Sequence, residues 1–431
     1  MRLDRTIPPA IKDLDEIYIQ CPVQTNFSNG IPFYQIHSGQ QDVVRLDIVF
    51  AAGRWYQNHK LQAVFTNRML REGTATYTSL EISEKLDYYG AWLELSCSMD
   101  YTYITLYSLN KYFDETMKVL ESVIKEPVFP EDELNTVIDM NIQQYQVNLS
   151  KVGFLSHREL LFSLYGNSHP CGQNVDQADY KKVTASLLHS FYKAYYHSGN
   201  CAVFLSGKIT DSISYTVQRI FGDQSFGYEQ PKPLLTPYTI QEDARKRIFV
   251  ERDDSLQSSV KLGSVTVTHN HPDFLKLRVL ITLLGGYFGS RLMSNIREDK
   301  GYTYGISAGL LTYPDSSVFM ISTETGNEYV EPLIHQVYTE IDKLRQHAVK
   351  KDELISVQNY MIGEMSRNYE SAFSLSDAWI FIYTSGLDPE YFNCALHAIR
   401  SITPDELQDL AIRYLDTGRL KEIVAGKKTL K

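Results

Sequence analysis

The chain has 431 residues, 43% of them hydrophobic and 22% charged, with a formal net charge of −10. These are the proportions of a folded globular protein, and the acidic balance excludes the basic face that a nucleic-acid partner requires. No apolar run approaches the roughly 20 residues of a membrane-spanning helix.

The amino-terminal stretch MRLDRTIPPAIKDLDEIYIQ lacks the apolar segment of a secretion signal. Five cysteines lie far apart with no C-x-x-C pair, which fits reduced thiols and a cytoplasmic location. Alternation of apolar and polar residues in VVRLDIVFAAG (43–53) predicts a strand. KLQAVFTNRMLREG (60–73) has helical spacing and a stop at Gly73. A long strand, YTYITLYSL (101–109), precedes the helix EDELNTVIDMNIQQYQ (131–146). A helix and a closing strand follow in VTASLLHSFYKAYYHSGNCAVFLSGK (183–208). The Pro- and Gly-rich stretch FGDQSFGYEQPKPLLTPYTIQEDARK (221–246) then reads as a linker.

After the linker the same series returns. SSVKLGSVTVTH (258–269) predicts a strand, DFLKLRVLITLLGG (273–286) a helix stopped by Gly, and SSVFMISTET (316–325) a long strand. KDELISVQNYMIGEMS places Glu353-Leu354 220 positions after Glu133-Leu134. ITPDELQDLAIRYLDTGRLKEIVAGK places Gly426-Lys427 219 positions after Gly207-Lys208. Two matches in one order at nearly one offset predict a duplicated domain. The expected organisation is a domain over 1–221, a linker over 222–246 and a second domain over 247–431. Each is expected to be α+β, with helices on one face of a mainly antiparallel sheet.

The first helix has the build of a metal-binding helix, in which i, i+3 and i+4 share a face. Those positions hold Val64, Asn67 and Arg68, and neither an alkyl group nor a guanidinium ligates zinc. His157 and Glu159 do not share a helical face, so no metal is expected there or at the nearby His169 and Cys171. No G-x-S-x-G or G-x-x-x-x-G-K-[ST] occurs.

From about Phe27 to Lys427 the chain resembles the pitrilysin family of zinc peptidases, in particular the two-domain subunits like those of mitochondrial processing peptidase. Where that family has H-x-x-E-H-M-L-F-x-G-T, this chain reads VFTNRMLREGT from Val64 to Thr74. Met69, Leu70, Gly73 and Thr74 match, and the three chemical positions do not. Aligning FPEDEL (129–134) puts Gln144, or Gln143, where the family has its last zinc ligand, a Glu. The segment LLGGYFGSRLMSNIREDKGYTYGISAG resembles the family's best-marked carboxy-terminal stretch through Gly285, Gly286, Ser290, Arg291, Leu292, Arg297, Glu298, Gly301 and Tyr304.

The resemblance implies that Arg297 and Tyr304 bind a peptide backbone and an oxyanion, as donors suited to developing negative charge. It implies peptide contact at Gly285, Gly286 and Ser290, although a helix C-cap explains the two glycines equally well. No cofactor is expected in this chain, and zinc is expected only in a partner. The partner is a zinc-bearing homologous subunit or a second copy, and the substrate a peptide. A non-catalytic scaffold or peptide-binding protein is the alternative; a zinc endopeptidase with unorthodox ligands is a weaker one.

Overall fold

The computed structural model describes residues 17–228 and 233–428, with Thr6 and Pro231. The stretch in which no secretion signal was read lies mostly outside the described residues. In the first half, six strands are β1 (Val23–Asn26), β2 (Pro32–His37), β3 (Val43–Phe50), β4 (Trp92–Cys97), β5 (Thr102–Leu109) and β6 (Cys201–Gly207). Its helices are α1 (Gln62–Met69), α2 (Ser79–Tyr88), α3 (Phe113–Lys125), α4 (Glu131–Leu149), α5 (Val152–Tyr165), α6 (Gln177–Tyr180), α7 (Ala185–Tyr195) and α8 (Asp211–Val217).

The second half has β7 (Arg247–Glu251), β8 (Gln257–Thr266), β9 (Thr303–Thr312), β10 (Ser317–Gly326) and β11 (Lys421–Gly426). Its helices are α9 (Phe274–Ile281), α10 (Val330–Gln346), α11 (Lys351–Arg367), α12 (Ala372–Ser385), α13 (Tyr391–Ser401) and α14 (Pro404–Tyr414).

The first sheet runs β1-β2-β6-β3-β5-β4 and the second β7-β11-β8-β10-β9. Setting β1 aside, the two orders are the same. In each, the closing strand pairs parallel to the first strand and antiparallel to the next. Remaining pairs are antiparallel. The fold is therefore α+β, in two halves of one topology.

Alternation sorts the strand side chains between two cores. Val44, Leu46, Ile48 and Phe50 of β3 enter a core with α1, α3 and α7. Val49, Ala202 and Phe204 face the opposite way, onto Leu375, Trp379 and Ile380 of α12. In the second half, Val260, Leu262, Phe319 and Ile321 pack with α9, α10 and α14. Val318 and Ile423 face Leu160 and Leu164 of α5. Each half thus keeps most of its helices on one sheet face and lends a helix to the other half's sheet. The two lent helices, α5 and α12, start 220 positions apart and occupy matching places in the duplication. Gly263 of β8 makes room for this exchange, since an added Cβ there would stand 3.2 Å from Leu160.

Polar pairs fix the seam. The buried Asp47 carboxylate accepts from Arg45 (2.8 Å), Thr105 (2.7 Å) and Ser376 of α12 (3.2 Å). Arg45 also reaches Asp377 of α12 at 2.6 Å. Burial pushes the Asp47 carboxyl upward, and the Arg45 guanidinium pulls against it.

At the other seam, His169 is fully buried beside Trp55, Tyr165 and Tyr238. Its Nδ1 accepts the Cys171 N–H (3.1 Å), which leaves Nε2 to donate to Asp315 of the second half (3.2 Å). The described residues of 223–246 form no helix or strand, yet they are held in place. Trp55 Nε1 donates to Thr236 O (2.9 Å), the Gln241 N–H to Tyr165 O (3.1 Å), and the Asp243 N–H to Ser163 O (2.8 Å).

Candidate functional site

Two places follow from the sequence, and the groove that holds the second is lined by no residue of the first. The first is α1. This helix ends at Met69, four residues before the expected stop, where the Leu70 N–H turns back to Asn67 O. Gly73 stands beyond it at a φ of +143°, in a turn that closes as a bridge with Thr78.

Asn67 is 2% exposed and points inward. Its Nδ2 and the Thr102 hydroxyl lie beside the Tyr196 phenol, close enough to pull its pKa down against burial, and among the described residues none of the three atoms makes a hydrogen bond of full geometry. Val64 and Arg68 are partly exposed. Arg68 Nη1 donates to Asn141 Oδ1 of α4 at 3.2 Å.

The helices compared in the sequence therefore do meet, but the side chain opposite Arg68 is Asn141. Gln144, placed there by alignment, is exposed, as is Gln143, and its amide donates to Asn148 along its own helix (3.2 Å). A zinc ion needs three or four soft or anionic donors around one point. An alkyl group, a guanidinium and amides do not fit it. Among the described residues no group of three His, Cys, Asp or Glu side chains is close enough to hold a metal ion.

The second place is the carboxy-terminal stretch. After α9 the chain forms a π-turn over Thr282–Gly286 and a second over Met293–Asp299, then enters the edge strand β9. Arg297 lies on the second turn, with its guanidinium 4.7 Å from the Phe288 ring centroid. Tyr304, on β9, is 92% exposed. Both line one groove of about 570 Å³, together with Gln257, Glu298, Glu324 and Tyr329. Every residue lining this groove comes from the second half. Among the described residues neither Arg297 nor Tyr304 is engaged in a hydrogen bond or ion pair, so their N–H and O–H donors face the groove unspent.

The remaining predicted residues lie elsewhere. Gly285 is buried, and a Cβ on it would fall 2.7 Å from Ala308, so close packing accounts for that glycine. Gly286 lines a different groove, of about 770 Å³, between α9, β9 and α12. Ser290 is 1% exposed, beneath the surface. Arg291, in the same motif, grips Glu353 of α11 through two hydrogen bonds of 2.7 and 2.9 Å. That pair ties the motif to the helix bearing the repeated Glu-Leu.

Residues 34–163 match the family profile described as Insulinase (Peptidase family M16), and residues 182–361 match Peptidase M16 inactive domain. An uncharacterized zinc protease of Rickettsia felis is 24% identical over 343 residues, 78% of this chain and 81% of its own length. A Helicobacter pylori protein described as a non-peptidase homolog, YmxG, is 23% identical over 369 residues, 84% of this chain and 83% of its own. Among solved structures, a peptidase M16 inactive domain from Pseudomonas fluorescens superposes with a TM-score of 0.85 at 22% identity, covering 95% of this chain and 99% of that one. A Helicobacter pylori protease also gives 0.85, at 16% identity over 95% of this chain and all of that chain.

Proposed function

The chain belongs to peptidase family M16 without carrying that family's H-x-x-E-H, and on that premise we propose that it is a zinc-less peptidase subunit. In this reading it pairs with a zinc-bearing homologue and lends Arg297 and Tyr304 to the binding of a peptide substrate. The observation that carries the reading is the groove itself. Its two free donors face a wall built from one half only, and α1 and α4 of the same chain contribute nothing to it. In this reading, what completes the site comes from another molecule.

The chemistry of the two residues is limited and definite. A guanidinium and a phenol donate to a peptide carbonyl, and both bonds strengthen as that oxygen gains negative charge. Phe288, beneath the guanidinium, steadies its plane. Any zinc belongs to the partner, because the residues at α1 do not suit it.

A second reading, a non-catalytic scaffold or peptide-binding protein, draws support from the relative described as a non-peptidase homolog. Peptide hydrolysis by the reconstituted pair separates the two. Arg297→Ala is expected to slow it by roughly 10²–10³-fold, the usual cost of one oxyanion donor, with a smaller loss for Tyr304→Phe. Unchanged hydrolysis in both variants rejects the subunit role and leaves the scaffold reading.

A further inference from the structure

We propose that the degenerate first-half site binds a carboxylate through Arg68, which stands at a position where the family resemblance places a zinc-ligating residue. The inference rests on the peptide-binding part of the reading above and not on the zinc-bearing partner.

Three observations lead to it. First, the helices that converge on the site are still in contact, through Arg68 and Asn141. The Asn141 amide is oriented for this contact: its Nδ2 donates to Val137 O (2.6 Å) and its Oδ1 is left to face Arg68. Second, most other arginines of the chain that are buried or partly buried are neutralised, with Arg297 of the second-half groove the other exception among the described residues. Arg45 is paired with Asp47 and Asp377, Arg158 with Asp176, and Arg291 with Glu353. Arg68 has no carboxylate within ion-pair distance among the described residues, and its one hydrogen bond goes to a neutral amide. Third, that bond occupies one of five N–H donors, and the side chain is partly open to solvent.

A half-desolvated guanidinium with most of its donors unused favours a planar anion that accepts two parallel hydrogen bonds. A peptide supplies that group from its carboxy-terminus or from an Asp or Glu side chain.

The test uses the full chain alone and three fluorescein-labelled octapeptides of alternating Ser and Ala. One has a free carboxy-terminus, one is amidated, and one is amidated with a central Glu. Fluorescence anisotropy at low salt is expected to show at least tenfold tighter binding of one or both acidic peptides than of the neutral one. The stronger of the two identifies the source of the carboxylate. Arg68→Gln is expected to abolish the preference, and Arg68→Lys to retain part of it in a protein of unchanged melting temperature. Equal affinities for the three peptides, no binding of the acidic peptides at millimolar concentration, or a preference surviving in Arg68→Gln overturns the proposal. Because no partner is present, these outcomes leave the pairing of Arg297 and Tyr304 with a zinc-bearing chain to be judged separately.

Discussion

At the scale of single residues, burial decides what each polar group contributes. Asp47 is 1% exposed and holds Arg45, Thr105 and Ser376 together. Asp47→Ala leaves the buried guanidinium to Asp377 alone and removes the acceptor of Thr105 and Ser376, and a loss of about 1–3 kcal/mol is expected from urea unfolding. Tyr196→Phe removes a buried hydroxyl whose contacts with Thr102 and Asn67 fall short of full hydrogen-bond geometry, so a change under about 1 kcal/mol is expected in the same experiment.

His197 is 1% exposed, and among the described residues neither ring nitrogen has a partner. Burial lowers its pKa from 6.5, so the unfolded chain takes up a proton at a pH where the folded chain does not. The stability this histidine confers is complete above 6.5 and is lost as pH falls below it. His157 and His269 are shifted the same way, burial again leading. The urea midpoint is expected to drop between about pH 7.5 and about pH 5.5, and to drop less in His197→Leu. An equal drop in that variant counts against the assignment.

The elements show how far the sequence could be read. The duplication was legible because each copy repeats its helix and strand signals with Glu-Leu and Gly-Lys at matching places, and both sheets follow from it. The edge strands were not. β9 begins inside the stretch that carries Arg297 and Tyr304, and β1 has only four residues, all exposed, so no alternation marks it. The exchange of α5 and α12 was also missed, although its signal was present. VGFLSHRELLFSLY and AFSLSDAWIFIYTS are apolar around most of the helix, which marks a helix covered on several sides. Periodicity says that such a helix is buried but not which sheet covers it. At the candidate site, the loss of metal ligands was plain from residue types. The face of α4 that meets Arg68 was not, since Asn141 and Gln144 differ by less than one helical turn. Leu160 is fully buried under the second sheet, so Leu160→Ala should cost about 2–5 kcal/mol. It should lower one cooperative transition rather than split it into two.

For the whole molecule, the exchanged helices make the two halves interdependent. Neither sheet is covered on both faces by its own half, and the seams are closed by apolar clusters and the Arg45–Asp377 and His169–Asp315 pairs. A protease site inserted between the exposed Leu234 and Leu235 is therefore expected to yield two fragments that stay together through gel filtration. Fragments that separate without denaturant contradict the exchange as a stabilising device.

No helix among the described residues is long and apolar enough to cross a membrane. A tagged chain is to be recovered from cell extracts prepared without chelator. The most direct test of the central claim is native mass spectrometry of that chain with its bound partners, combined with zinc analysis. A homologous partner bearing H-x-x-E-H, with zinc in that partner alone, is the predicted result. Recovery of this chain without such a partner, or with one zinc ion per copy of its own, contradicts it.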